Sequence, residues 1–541
     1  MKNLIFFCVF FFLCDNLFSQ ESDPIYINGD FQLNLQTYND DESIGAVAPD
    51  ETLLLNSFSN LFFQKGNFKL GVRYEAYLNS LLDFDSRLNG TGIPYKFASY
   101  SVDGLDITLG NYYEQYGSGL VFRSYQDYNL GIDNSMNGIK LKYNTNKGIT
   151  LKGFVGQQRY FFEYGEGIVR GLDGEIFLNQ LMKKLEKATS KIIIGGNFVS
   201  RFQEDNNPIF DLPVNVGAYS GRLSINHKNI FFNGEYAKKI NDPEGGLINN
   251  NYANGSGIIM NISYSQKGAA INIKTHRIDN MDFRSDRSAT GNNLTLNYVP
   301  PITKQHTYTL SAMYPYATQL QGEIGGEVTL NYNIKKKSVL GGKYGTKLKF
   351  GISKINGLNG GNSVYNDSIN FTPDFLTQGE LYFENINFEI KKKINKQLSF
   401  ILNYDKIKYN KDIIQGLSGY GIIYADIGII DVTYKIKPKH AIRTELQHMS
   451  TEQDKGNWAM ILTEYTISPN WFFSIMDLYN YGNSDVDKKN HFVNFNIGVN
   501  KGKNRFVIGY GKKQEGIFCV GGVCKYVPSS NGLTLSISSN F

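Results

Sequence analysis

Past its opening residues this 541-residue chain has no long apolar run, and its mean hydropathy is −0.31, which excludes a helical membrane protein. Proline is scarce at 13 and tryptophan at 2, while Tyr 36, Phe 37 and Gly 55 are abundant. Neither sign of charge dominates: Lys+Arg 55 stands against Asp+Glu 50, an excess too small and too dispersed to imply nucleic acid. The six histidines are scattered, and His440 and His448 lie roughly 26 Å apart along a strand, too far for one metal. No G-x-S-x-G, H-E-x-x-H or phosphate-loop pattern occurs, so a catalytic site would have to be assembled from distant strands. The sequence points to no enzyme, no cofactor and no metal.

Residues 1–20 carry Lys2, a short apolar core from Leu4 to Leu13 and the exit Phe18-Ser19-Gln20. That is the pattern of a secretory signal peptide; the core is half the ~20 residues a spanning helix needs. Cys8 and Cys14 leave with it. The remaining pair flanks Cys519-Val520-Gly521-Gly522-Val523-Cys524. A Gly-Gly two-residue turn would pair Val520 with Val523 and Cys519 with Cys524, a separation suited to a structural disulfide.

The rest of the chain, 21–541, alternates in polarity with period two. Leu70, Val72, Tyr74, Ala76 and Leu78 face one way; so do Ile258, Met260, Ile262 and Tyr264, then Ile139, Leu141 and Tyr143, then Leu533, Leu535, Ile537 and Phe541. So many two-faced strands cannot share one soluble core, but lipid outside and water or packed polar groups inside satisfy both faces. Short connections, such as Gly66-Asn67, Asn146-Lys147-Gly148, Gln266-Lys267-Gly268, Pro469-Asn470 and Lys501-Gly502-Lys503, alternate with long polar ones. The long ones include 39–51, 79–94, 202–212, 240–251, 278–289, 356–377, 481–490 and 514–529. The expectation is an all-β, antiparallel transmembrane barrel of the outer membrane, with about 26 strands (22–26), periplasmic turns and termini, and extracellular loops. Its partners are then outer-membrane lipid and the barrel-insertion machinery, which would read the strand ending at Phe541, with other outer-membrane proteins as further candidates. No plug-sized domain precedes the first strand near Tyr26, which disfavours an energy-coupled plugged receptor. Leu178–Ala188 reads either as about three turns of amphipathic helix or as an irregular continuation of two strands.

Leu105–Tyr143 breaks the rhythm. A plain loop would not need Leu120, Val121 and Phe122 among so many glycines, so a segment near 114–138 is expected to fold into the barrel. Its chemistry-bearing residues are Glu114, Tyr116, Arg123, Asp127 and Asp133, with Arg123 pairing Glu114 or Asp127. A second charged group holds Arg159, Arg170, Asp173 and Glu175. These charges either form a selective constriction or an interior salt-bridge lattice bracing the wall. Asp133–Gly138 imitates half a calcium loop but lacks the closing acid, Asn144 standing there.

The run from Leu109 to Gly117, with Gly119-Leu120, Arg123, Asn129–Asn134, Arg73-Tyr74-Glu75 and Val169–Glu175, resembles an uncharacterised outer-membrane family of the Bacteroidota. That resemblance covers the N-terminal third and implies compartment and fold, with no reaction. More loosely, a strand followed by an inward Gly/Arg/Asp segment resembles polysaccharide-handling barrels such as alginate exporters and capsule-attachment proteins. The leading expectation is a pore or transport barrel. The alternative is a non-transporting subunit or scaffold of a secretion, surface-attachment or motility assembly, with a filled lumen.

Overall fold

The computed structural model describes residues 24–208, 211–242, 254–359 and 373–541. The expected signal peptide lies outside them, as do parts of the connections 240–251 and 356–377. Twenty-four strands form one sheet in which every neighbour is antiparallel. The sheet closes on itself where the first strand, Ile25–Thr37, pairs with the last, Ser530–Asn540, from Asp30↔Asn540 to Gln36↔Thr534. Closure leaves no free edge. Gly29 makes the seam possible, because a Cβ there would lie 2.6 Å from the Phe541 ring.

Alternation explains the wall. Leu172, Phe198, Ile430 and Phe495 stand outward and are exposed, while their neighbours Asp173, Asn197, Asp431 and Asn494 turn inward. An apolar surface of this extent is stable only in lipid. Among the described residues no helix is long and apolar enough to cross a membrane. Turns such as Gly66-Asn67 and Lys501–Asn504 share one rim with both chain ends, the periplasmic rim; the long connections share the extracellular one. One extracellular connection is short, the Phe161-Phe162 turn, where Phe161 takes φ +55°.

The strand number is 24, two below the count of about 26 and inside its range. The difference lies at 280–321, where the chain turns inward instead of crossing the membrane again. Leu178–Ala188 forms a single α turn, Leu178–Leu181, and a 3-10 turn, Lys183–Leu185. Asn179 stops the helix: its side chain donates to Leu185 O and Ser190 O and accepts from Ile192 N. A side chain that satisfies the backbone locally competes with helix propagation. Cys519 and Cys524 are bonded across a hairpin turned at Gly521 and Gly522, both at positive φ.

Candidate functional site

The lumen has two halves. Along the strand Ile422–Lys437 the inward residues Ile423, Ala425, Ile427 and Ile429 are buried in the extracellular half, whereas Lys435 and Lys437 near the periplasm are exposed. The strand Leu398–Asn410 runs the same way: Asn403, Asp405, Ile407 and Tyr409 are buried, but Ser399 and Ile401 only partly. What buries the outer half is chain from within the barrel, the segments 113–135 and 280–321.

Segment 113–135 links the strands Leu105–Tyr112 and Met136–Asn144. Tyr116, Leu120, Val121 and Phe122 have no exposed surface and pack against Phe154, Val169, Val199 and Val216 of the wall. Burial of each is worth about 1.5–3 kcal/mol. Polar anchors fix it at three points. Asp133 sits between two wall arginines: Arg159 donates to it at 2.7 Å and Arg73 pairs with it at close range. Both guanidiniums also hold Glu75, at 2.7 Å each, and Tyr113 donates to Asp133 at 2.9 Å. Burial raises the Asp133 carboxyl, but the two guanidiniums outweigh it and hold the group below its ordinary range. At the second point Glu235 accepts from the Ser118 backbone at 2.7 Å and from Ser220 at 2.6 Å. Gly117, at φ +54°, is required there, since a Cβ would fall 2.5 Å from the Glu235 carboxylate. At the third, Glu114 pairs with Lys152 at 2.9 Å and Lys140 at 3.7 Å.

Segment 280–321 is held mainly by packing. Met281, Phe283, Leu296 and Val299 join the cluster around Tyr116, while Ile302, Leu310, Tyr314 and Tyr316 fill the far side against Ile355, Phe383, Tyr409, Ile427, Met449 and Trp458. Its passage along the wall is tight at Gly167, where a Cβ would lie 1.8 Å from Ser285 O. Its polar footholds include Asp405, which accepts from Ser311 at 2.7 Å and from Asn387 and Asn403 at 2.6 Å, and Glu323, which accepts from Tyr316 and from the Gln319 backbone at 2.5 Å. His306 lies 3.6 Å from the same carboxylate, and burial pushes its imidazole down to about 4 against the pull of Asp405. The two segments are zipped together by Arg123 N to Leu296 O at 2.8 Å and Tyr298 N to Gly119 O at 2.9 Å. Over them lies the disulfide hairpin, reached by Tyr298 OH to Gly521 O and Asn292 to Cys524 O.

The sequence candidates thus fall in different places. Asp133 and Arg159 meet, joined by Arg73 and Glu75. Tyr116 is in the apolar plug, and Glu114 faces wall lysines. Asp173 and Glu175 pair with Arg222, at 2.7 and 2.9 Å, on the wall. Asp127 caps its own turn by accepting from Asn129 N and Leu130 N. Two readings are corrected. Arg123 pairs with neither Glu114 nor Asp127: its guanidinium stacks over Tyr298, 4.1 Å from the ring centre, and over Tyr125 at 4.8 Å. Both rings lie within reach and both carboxylates are already committed. Arg170 is not in the lumen; it shares the outward face with Ile168 and Leu172 and approaches Asn215 at 3.4 Å. Strand parity carries that signal, since Arg170 lies two residues from each apolar neighbour. Sequence reasoning missed Glu235, Asp405 and all of 290–321.

This geometry defines a class, an outer-membrane β-barrel whose extracellular half is plugged by its own chain. The chain belongs to the family of unknown function DUF6029, whose model matches residues 1–541. No curated protein matches it. Among solved structures it is similar to the translocation pore of the P pilus usher PapC, at 8% identity over 96% of this chain and 99% of that one, TM-score 0.46. It is also similar to a mutant of the ferric enterobactin receptor PfeA from Pseudomonas aeruginosa, at 9% identity over 96% and 81%, TM-score 0.41. OccK8 (OprE) of the same organism gives 9% identity over 95% and 98%, TM-score 0.36. Identities and scores this low say nothing about substrate.

Proposed function

We propose that this protein is a transport barrel at rest, in which 113–135 and 280–321 form an internal plug that must shift for solute to pass. The observation that carries the reading is the contrast inside the lumen. A polar, partly exposed periplasmic half leads up to a plug whose underside rests on polar groups such as Asp405, Asn403 and Gln447. A wall meant only to be filled has no need of charges in its lower half. Asp133, Arg159, Glu114 and Tyr116 belong to this plug and its seat, so their role is to hold the closed state. Asp173 and Glu175, paired with Arg222, brace the wall beside it.

The residue resemblance over 105–143 supports a Bacteroidota outer membrane as the setting, and the looser pattern supports a glycan as cargo. Insertion would use the terminal strand, whose last residue Phe541 bonds Gly29 across the seam. The filled outer half favours a second reading, a non-conducting scaffold.

The test is a reversible lock. A Cβ at Gly165 would lie 3.7 Å from Ser285 Oγ, so Gly165→Cys with Ser285→Cys ties wall to plug, in a background with Cys519→Ser and Cys524→Ser. Proteoliposomes are loaded with tagged oligosaccharides and with charged dyes of graded size. Solute leaves vesicles carrying the unlocked barrel, stops leaving when the lock is oxidised and resumes on reduction. No efflux from the unlocked barrel would transfer the protein to the scaffold reading.

A further inference from the structure

The two rims of the barrel carry opposite charge. Among the described residues, the connections of the extracellular rim hold 23 acids against 10 bases, and the loop 38–52 alone has Asp40, Asp41, Glu42, Asp50 and Glu51 with no base. The periplasmic connections hold 13 lysines against two acids, Asp103 and Glu186. A rim-wide bias of this size is a field rather than a set of pairs.

The field is strongest where two lysine triplets, 335–337 and 391–393, come together. The strands bearing them are one strand apart, and the connection 335–345 leans across the strand between: Lys392 Nζ donates to Leu340 O at 3.2 Å, and Lys393 lies over the Tyr344 ring at 5.0 Å. No acidic side chain pairs with any of the six, nor with Lys343 or Lys396, among the described residues. The connection is an ordered protrusion. Ser338 Oγ donates to Lys335 O at 2.7 Å, Lys337 N to Gly342 O at 2.6 Å, and Thr346 Oγ1 to Leu340 O at 2.8 Å. It presents Val339 at 99% and Leu340 at 68% exposure. Just above, the outward faces of the same strands end in Leu330 and Tyr332, and in Phe388 and Ile390, followed by Lys392.

An apolar tip ringed by unpaired lysines, directly beyond the lipid-facing band, matches the interfacial layer of a bilayer. There apolar side chains enter the acyl boundary and ammonium groups meet phosphate. We propose that this protrusion, with Lys335, Lys336, Lys337 and the outward Lys392 beside it, forms a binding site for anionic phospholipid headgroups of the periplasmic leaflet. The site fixes the barrel's height and orients its periplasmic mouth against the leaflet. The acidic extracellular rim has no such capacity. This inference stands apart from the transport reading, because it concerns the outer wall and one rim.

The experiment is native mass spectrometry of the full-length barrel in detergent, supplied with equal amounts of phosphatidylglycerol and phosphatidylcholine. The wild type retains phosphatidylglycerol preferentially. The variant Lys335→Gln, Lys336→Gln, Lys337→Gln, Lys392→Gln loses that preference, each lysine removed lowering the affinity about fivefold. The matching set of Lys→Arg substitutions keeps the preference, and heat-modified mobility on gels verifies that each variant is folded. Equal retention of the two lipids by the wild type, or undiminished preference in the glutamine variant, overturns the proposal. So does capture of soluble polyglutamate without lipid preference, which would assign the rim to an acidic periplasmic protein.

Discussion

Segments 113–135 and 280–321 reach the same lumen by different means. The first is pinned by charge: Asp133 to Arg73 and Arg159, Glu114 to Lys152, and Gly117-Ser118 to Glu235. The second is pinned by area, with Phe283, Leu296, Ile302, Leu310, Tyr314 and Tyr316 buried, and by neutral donors to carboxylates around it: Ser311 to Asp405, Tyr316 to Glu323 and Tyr308 to Asp431. Charge fixes position, because a buried carboxylate tolerates no displacement from its partners, while apolar contact tolerates sliding. The first segment is therefore the fixed half of the plug and the second the half able to move.

The sharpest way to break this comparison is Arg159→Met. It leaves Glu75 and Asp133 with fewer cationic partners in a buried setting, and about 3–5 kcal/mol is expected to be lost, read as a fall in the temperature at which the detergent-folded barrel loses its heat-modifiable mobility. Leu310→Ala removes packing from the second segment only, at a cost of about 2–5 kcal/mol. Its effect should appear as protease sensitivity within 290–321 and leave 113–135 protected. Equal exposure of both segments in Leu310→Ala would mean that they move as one body.

Acid separates them more gently. His306 is buried neutral, its pKa lowered from 6.5 to about 4, so the stability it contributes is present above pH 6.5 and is lost as pH falls toward 4. Asp133 is held below the ordinary carboxylate range, so its ion pairs persist through that window. Hydrogen exchange between pH 7 and pH 4.5 is expected to quicken in 302–316 first. Smallest of all is Arg170→Gln, on the outward face, expected within about 0.5 kcal/mol of the wild type in the same melting assay.

The same contrast explains what was legible in the sequence. Alternation revealed the wall, and short turns such as Gln266-Lys267-Gly268 alternating with long polar connections set the rims, because a strand between lipid and water has no other pattern open to it. The charge-pinned segment left a trace, since glycines at 117 and 119 beside Leu120–Phe122 and several charges fit no ordinary loop. Its partners were another matter. Arg123 finds Tyr298, and Asp133 finds Arg73, across separations that no local pattern encodes. The packed segment left almost none: its apolar residues follow neither period two nor 3.6, and its start at 278–289 reads as an outer loop. Irregular chain buried by other irregular chain has no periodic signature. A long stretch without alternation, Asn280–Gln321, is the one signal that could have exposed it, since loops of that length with no structure of their own are uncommon.

The most direct measurement is single-channel conductance in planar bilayers, comparing the wild type with a barrel in which 282–319 is replaced by a short Gly-Ser linker. The wild type is expected to stay closed for most of the record and the deletion to conduct steadily, because it removes the Ile302, Leu310, Tyr314 and Tyr316 side chains that pack against the far wall. A wild type as conductive as the deletion would contradict closure by the two segments.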